Sequence, residues 1–180
     1  TAAEINQPYI FILPLAGPDP ATVRAHADAL GRQDRANWSL HVVMSSEHLT
    51  VTARDVGQNP RVRFIPADRV LADYLLSLPP QALLHVLHPE GTLSPLFTRV
   101  IGATAQRHSD AVLFYSDEDR RTADDTRCSP SFKGDFDPVL IRTLDYIGAA
   151  AVWRVGRLVP HIDAAARIGA ARTALTEAAK

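Results

Sequence analysis

The sequence predicts an α/β domain whose sheet is mostly parallel and flanked by helices. Three observations carry that prediction. The runs Tyr9–Leu13 and Trp38–Met44 are largely apolar and β-branched, the pattern of strands covered on both faces. Helix-start signals, an acidic or hydroxyl residue followed by proline, stand after such runs at Asp19-Pro20 and Ser94-Pro95. Strand-like and helix-like segments then alternate along the chain, which is how parallel sheets with crossover helices read.

Taken in order, Tyr9-Ile10-Phe11-Ile12-Leu13 is a strand stopped at Pro14. Asp19 caps a helix with Pro20 at its first position, Val23, Ala27 and Leu30 on one face, and Gly31 at its end. Trp38–Met44 is the second strand. Arg61–Ile65 alternates polar and apolar and predicts a strand with one exposed face. A short helix is expected from Asp68 to Leu78, stopped by Pro79-Pro80, and a strand from Ala82 to Leu87. Ser94-Pro95 opens another helix, with Leu96, Val100 and Ala103 on one side. Ala111–Tyr115 is a short strand, and the polar stretch Asp117–Ser131 reads as a loop. Asp137-Pro138 begins a short helix, Ile147–Trp153 is a strand, and the Ala-rich segment Ile162–Ala179 is helical with Asp163 as its N-cap.

Composition narrows the function. The 180 residues carry 19 basic and 20 acidic side chains, a formal charge of −1, without the basic excess that nucleic-acid binding requires. No apolar run approaches the roughly 20 residues of a membrane helix. Cys128 is the single cysteine, so no intrachain disulfide can form and a reducing, cytoplasmic setting is expected. The chain reads as one domain, residues 1–180, with its core over 8–155 and an appended tail helix over 162–179. It opens at Thr1 without a methionine or signal pattern, and a piece of a longer protein with further domains is the expectation.

Parallel sheets bind ligands beyond the carboxyl ends of their strands. That directs attention to Pro14–Gly17, Ser45–His48, His88–Gly91 and Ser116–Asp119. No G-x-G-x-x-G, G-x-x-x-x-G-K-[ST] or G-x-S-x-G pattern occurs there, which argues against dinucleotide enzymes, P-loop NTPases and the common hydrolases. The densest chemistry is Tyr115-Ser-Asp-Glu-Asp-Arg-Arg121. Its three consecutive carboxylates need a cation or basic neighbours; Arg120 and Arg121 would compensate them in a solvated loop. His26, His41, His48, His85, His108 and His161 show no metal-ligand spacing.

Three segments in order, Tyr115-Ser-Asp-Glu-Asp119, Pro130-Ser-Phe-Lys-Gly-Asp-Phe-Asp-Pro138 and Leu144-Asp-Tyr-Ile-Gly148, resemble the middle of family 2 glycosyltransferases. Ile12-Leu13-Pro14 and the stretch Gln33–Val43, with Trp38, are similar to that family's opening. The resemblance implies a GT-A nucleotide-sugar-binding, Rossmann-like fold and transfer of a sugar from a nucleotide donor to a polysaccharide or glycan acceptor. It places Pro14, Ser45, Ser46, Asp117, Asp119 and Lys133 at the donor, with Asp135 nearby. Lys133 would meet the pyrophosphate, or else pair with Asp135 at the surface. Tyr146 and Trp153 are expected as core or rim aromatics.

The chain departs from the family where the chemistry sits. Leu87-His88-Pro89-Glu90 stands in place of the metal-binding D-x-D segment, so Mn²⁺ or Mg²⁺ would have to use His88 and Glu90; histidine suits Mn²⁺ better. Met44-Ser45-Ser46-Glu47 replaces the acidic pair that reads the base. No general base is visible after Gly148. A non-catalytic binding or scaffold domain of a larger protein is therefore the alternative expectation.

Overall fold

A computed structural model describes residues 7–34 and 37–178. A six-stranded sheet runs in the order β3-β2-β1-β4-β8-β5: Val62–Pro66, Trp38–Met44, Tyr9–Pro14, Leu83–Val86, Val152–Arg154 and Leu113–Phe114. β3, β2, β1 and β4 are parallel neighbours, whereas β8 pairs antiparallel with both β4 and β5. The fold is α/β with a mostly parallel sheet, and it fits a Rossmann-like architecture.

The apolar runs are continuous because both faces of the sheet are covered. In β1, Ile10 and Ile12 enter one core, while Tyr9, Phe11 and Leu13 enter the other. Helices α1 (Pro20–Gly31) and a later helix, Phe97–Arg107, cover the second face. α1 begins as expected: Thr22 N–H donates to Asp19 Oδ1 at 3.0 Å, and Val23, Ala27 and Leu30 are buried.

Several elements differ from the sequence reading. A helix, α2 (Ser46–Val56), starts directly after β2 where only a turn is legible. Its inward face is only Thr52, fully buried, with Leu49 and Val56 packed part-buried against the second core, a thin apolar stripe centred on a polar residue. The expected 68–78 helix is shorter, α3 (Leu71–Leu76). α4 (Phe97–Arg107) begins two residues after Pro95 and turns a different face inward. Thr98, Ile101, Gly102 and Ala105 are buried, whereas Leu96 and Val100 are 48% and 56% exposed. Polar anchors set this rotation. Tyr9 Oη donates to the Thr98 carbonyl at 2.8 Å, and Gln33 Oε1 accepts from the Thr98 N–H at 3.2 Å, capping the helix from outside it. A Cβ on Gly102 would fall 2.2 Å from the Tyr9 hydroxyl, so only glycine admits the approach.

The expected loop 117–131 contains a two-stranded ribbon, β6 (Glu118–Arg121) and β7 (Arg127–Ser131), separate from the main sheet. It is polar on both faces and so gives no hydrophobic alternation. A short helix, α5 (Leu140–Thr143), follows, with Asp137 accepting from the Val139 and Leu140 amides. The expected strand 147–153 divides into a 3₁₀ turn, Gly148–Ala150, and β8; α6 (Val155–Leu158) comes next. The tail helix begins only at α7 (Ala171–Ala178), and Asp163 accepts from Ala165 N–H within a preceding turn rather than capping it. Ala179 lies outside the described residues. Ile168, Ala171 and Leu175 are buried in the first core, so the segment after 155 is built into the domain.

Candidate functional site

The chain runs outward from β1 through β2 to β3, then returns to the other side of β1 as β4. That reversal opens a crevice at the carboxyl ends of β1 and β4. Pro14 ends β1, and Leu87 N–H donates to the Ile12 carbonyl at 2.8 Å, so the His88–Gly91 turn leaves the sheet beside it. His88 and Glu90 are both exposed. Glu90 N–H donates to His88 Nδ1 at 3.2 Å, which leaves Nε2 as the imidazole's free position. Among the described residues, no three His, Cys, Asp or Glu side chains gather as a metal site. Ser45 precedes α2, and its hydroxyl donates to Glu47 Oε1 at 3.0 Å; Glu47 also meets His48 Nε2 at 3.5 Å. Ser46, at the first position of that helix, is exposed.

The second half of the rim lies past the end of β5. Because β8 is antiparallel, its incoming end, residues 147–151, arrives at the same edge. The three motif segments converge there on one side chain. The Lys133 side chain is 3% exposed, and its Nζ donates to Glu118 Oε1 at 3.0 Å and to the Tyr146 and Ile147 carbonyls at 2.8 Å each. An ammonium has three N–H donors, so all are used within the protein. The pairing with Asp135 does not form; the partner is Glu118.

The surrounding contacts close the assembly. Lys133 N–H donates to Asp117 Oδ1 at 2.8 Å, and Tyr115 Oη donates to the Gly134 carbonyl at 2.9 Å. The Tyr115 and Tyr146 rings meet edge to face at 6.1 Å between centroids. Desolvation first, then Tyr146 and the Asp135 charge, push the Tyr115 hydroxyl up to about 12, so it remains a donor at neutral pH. Gly148 sits at φ +65°, and a Cβ there would lie 2.9 Å from Glu118 Oε1 and 3.2 Å from Lys133 Nζ. Left-handed backbone and lack of space both demand glycine.

The three carboxylates are thus compensated one by one, but not by the neighbouring arginines. Asp117 takes a backbone amide, Glu118 takes Lys133, and Asp119 takes Arg127 across the β6–β7 ribbon. Arg121 instead pairs with Asp125. Trp153 is buried in the core, its indole N–H without a partner among the described residues, and Tyr146 stands at the rim.

Sequence reasoning missed Glu118 and Gly148 as members of this site. A compositional signal was present: 17 of the 19 basic residues are arginine, and Lys133 is the single lysine before the final residue. A compact ammonium fits three converging acceptors in a buried pocket where a planar guanidinium does not.

No protein-family model matches the chain. The chain is 26% identical over 158 residues to an uncharacterized protein, y4gI, of Sinorhizobium fredii (strain NBRC 101917 / NGR234); the match covers 82% of this chain. The chain spans 17% of that relative's length.

Proposed function

We propose that the chain is a GT-A, family 2 glycosyltransferase-like domain that receives a nucleotide-activated sugar at the carboxyl-end rim of its sheet. The observation that carries this reading is the convergence of segments 115–119, 130–138 and 144–148 on Lys133, beside the crevice at the carboxyl ends of the strands. In this reading the lysine holds the rim together and does not itself reach the pyrophosphate. The groups left to face a donor are Pro14, the Ser45–Ser46 turn, His88, Glu90 and the unshared oxygens of Asp117 and Asp119. A divalent cation would neutralise charge on the diphosphate leaving group. His88 through Nε2 and Glu90 through its carboxylate are the residues that would hold it, a mixed set better suited to Mn²⁺ than to Mg²⁺. The acceptor would be a growing polysaccharide or other glycan, and the setting cytoplasmic; among the described residues no helix is long and apolar enough to cross a membrane.

A second reading, a non-catalytic binding or scaffold domain of a larger protein, is favoured by the structural commitments of Lys133, Asp117 and Asp119. These engagements leave the rim few free charged groups. Calorimetry with UDP-, GDP- and dTDP-sugars in the presence of Mn²⁺ separates the readings. Saturable heat that weakens in His88→Ala/Glu90→Ala supports the donor site; no heat with any of the three leaves only the scaffold.

A further inference from the structure

A cavity of about 240 Å³ lies at the opposite edge of the sheet, where β1 and β2 begin. Tyr9 and Ile10, Trp38 and Ser39, His41, Arg63 and the Leu78-Pro79 turn line it. Among the described lining residues there is no carboxylate, and Arg63 makes no ion pair with any described residue. A second guanidinium, Arg69, stacks 5.5 Å over the Tyr74 ring close by and is hydrogen-bonded to Ser77 Oγ at 3.4 Å. The local field therefore favours an anion.

A hydrogen-bond chain leads from the core to this cavity. Tyr74 Oη lies 2.6 Å from His41 Nδ1, and His41 Nε2 lies 3.1 Å from Ser39 Oγ. Burial, then Arg63 and Arg69, hold His41 well below its ordinary value, at about 4, so the ring is neutral and one nitrogen must accept. A phenol is the better donor, which assigns Tyr74 O–H to Nδ1 and leaves Nε2–H to donate to Ser39 Oγ. The Ser39 hydrogen is then free to point at a ligand. At about 240 Å³ the cavity has room for a small organic acid. Ile10, Leu78 and Pro79 supply apolar walls.

We propose that this cavity binds a small carboxylate with an apolar body, its oxygens held by Arg63 and the Ser39 hydroxyl. The site is independent of the nucleotide-sugar reading. Benzoate is the probe, titrated into the 180-residue chain by calorimetry and followed by ¹⁵N NMR of the His41 ring. The expected result is saturable millimolar binding that perturbs the His41 nitrogens. It weakens about tenfold in Arg63→Gln and roughly fourfold in Ser39→Ala, recovers partly in Arg63→Lys, and is unchanged in Arg121→Gln on the far ribbon. Circular dichroism melts of each variant separate lost binding from lost folding. Absence of saturable binding, equal affinity in Arg63→Gln, benzyl alcohol binding as tightly as benzoate, or inorganic phosphate binding more tightly would each overturn the assignment.

Discussion

The two sides of the sheet are held together by different physics. On the β3-β2-β1-β4 side, cohesion comes from apolar area: Phe11, Ile12, Leu13, Leu40 and Val42 are all 1% exposed or less, in strands whose sequence is enough to explain their burial. On the β8-β5 side the strands are short, three and two residues, and the rim beyond them is organised by one buried ammonium and the acceptors that converge on it. Area is non-directional and tolerates small errors. A polar hub is all or nothing, because each acceptor it leaves unpaired carries its own desolvation cost.

The sharpest way to break this contrast is Lys133→Met. It retains the stem's volume but strips the donor from Glu118 and two carbonyls. The expected cost is about 3–5 kcal/mol in urea unfolding, with the 115–148 region losing amide-exchange protection before the parallel strands do. A cost below ~1 kcal/mol would mean that the rim is held by area after all.

The apolar side also buries polar groups, His41 and His85 among them, and pH exposes the first. Its folded value of about 4 lies below the ordinary 6.5 of an unfolded chain, because burial disfavours the cation first, with Arg63 and Arg69 adding to it. The neutral form stabilises the fold fully above pH 6.5. As pH falls from 6.5 towards 4, the unfolded state takes the proton and the folded state does not, so stability drops by up to about 3 kcal/mol. His41→Leu, a swap of similar volume, should flatten that part of the pH profile of thermal unfolding. An unchanged profile would remove His41 as its cause.

The smallest effect is expected at Arg127→Ala in the exposed ribbon. Its pairing with Asp119 is a surface contact, 74% exposed on the arginine side, and its loss should cost at most ~1 kcal/mol and fade further in high salt. A larger loss would make the ribbon part of the hub rather than an appendage to it.

Legibility followed the same divide. β1, β2, β4 and α1 could be read because the causes of each lie within a few residues: an unbroken apolar run, or Asp19 three residues from the amide it caps. α2 went unread because its inward stripe is thin, Leu49 and Val56 around a polar Thr52, and the β6–β7 ribbon because both of its faces are wet. At the rim, the three segments could be recognised by their order and spacing, but nothing local shows that they meet on Lys133. The sequence also offers Arg120 and Arg121 as obvious partners for the acidic run, and the folded chain uses neither for it.

By itself, then, the amino-acid order determined which segments must be buried and roughly where helices start, since hydrophobic pattern and capping act over a handful of residues. Tertiary structure alone decided that β8 runs backwards between β4 and β5. It likewise decided that α4 is rotated by Tyr9 and Gln33, and that Glu118, Lys133 and Gly148 share one crowded point. Each of these depends on groups far apart in the chain finding the right direction and distance, and strand-forming side chains carry no mark of which way their strand will run.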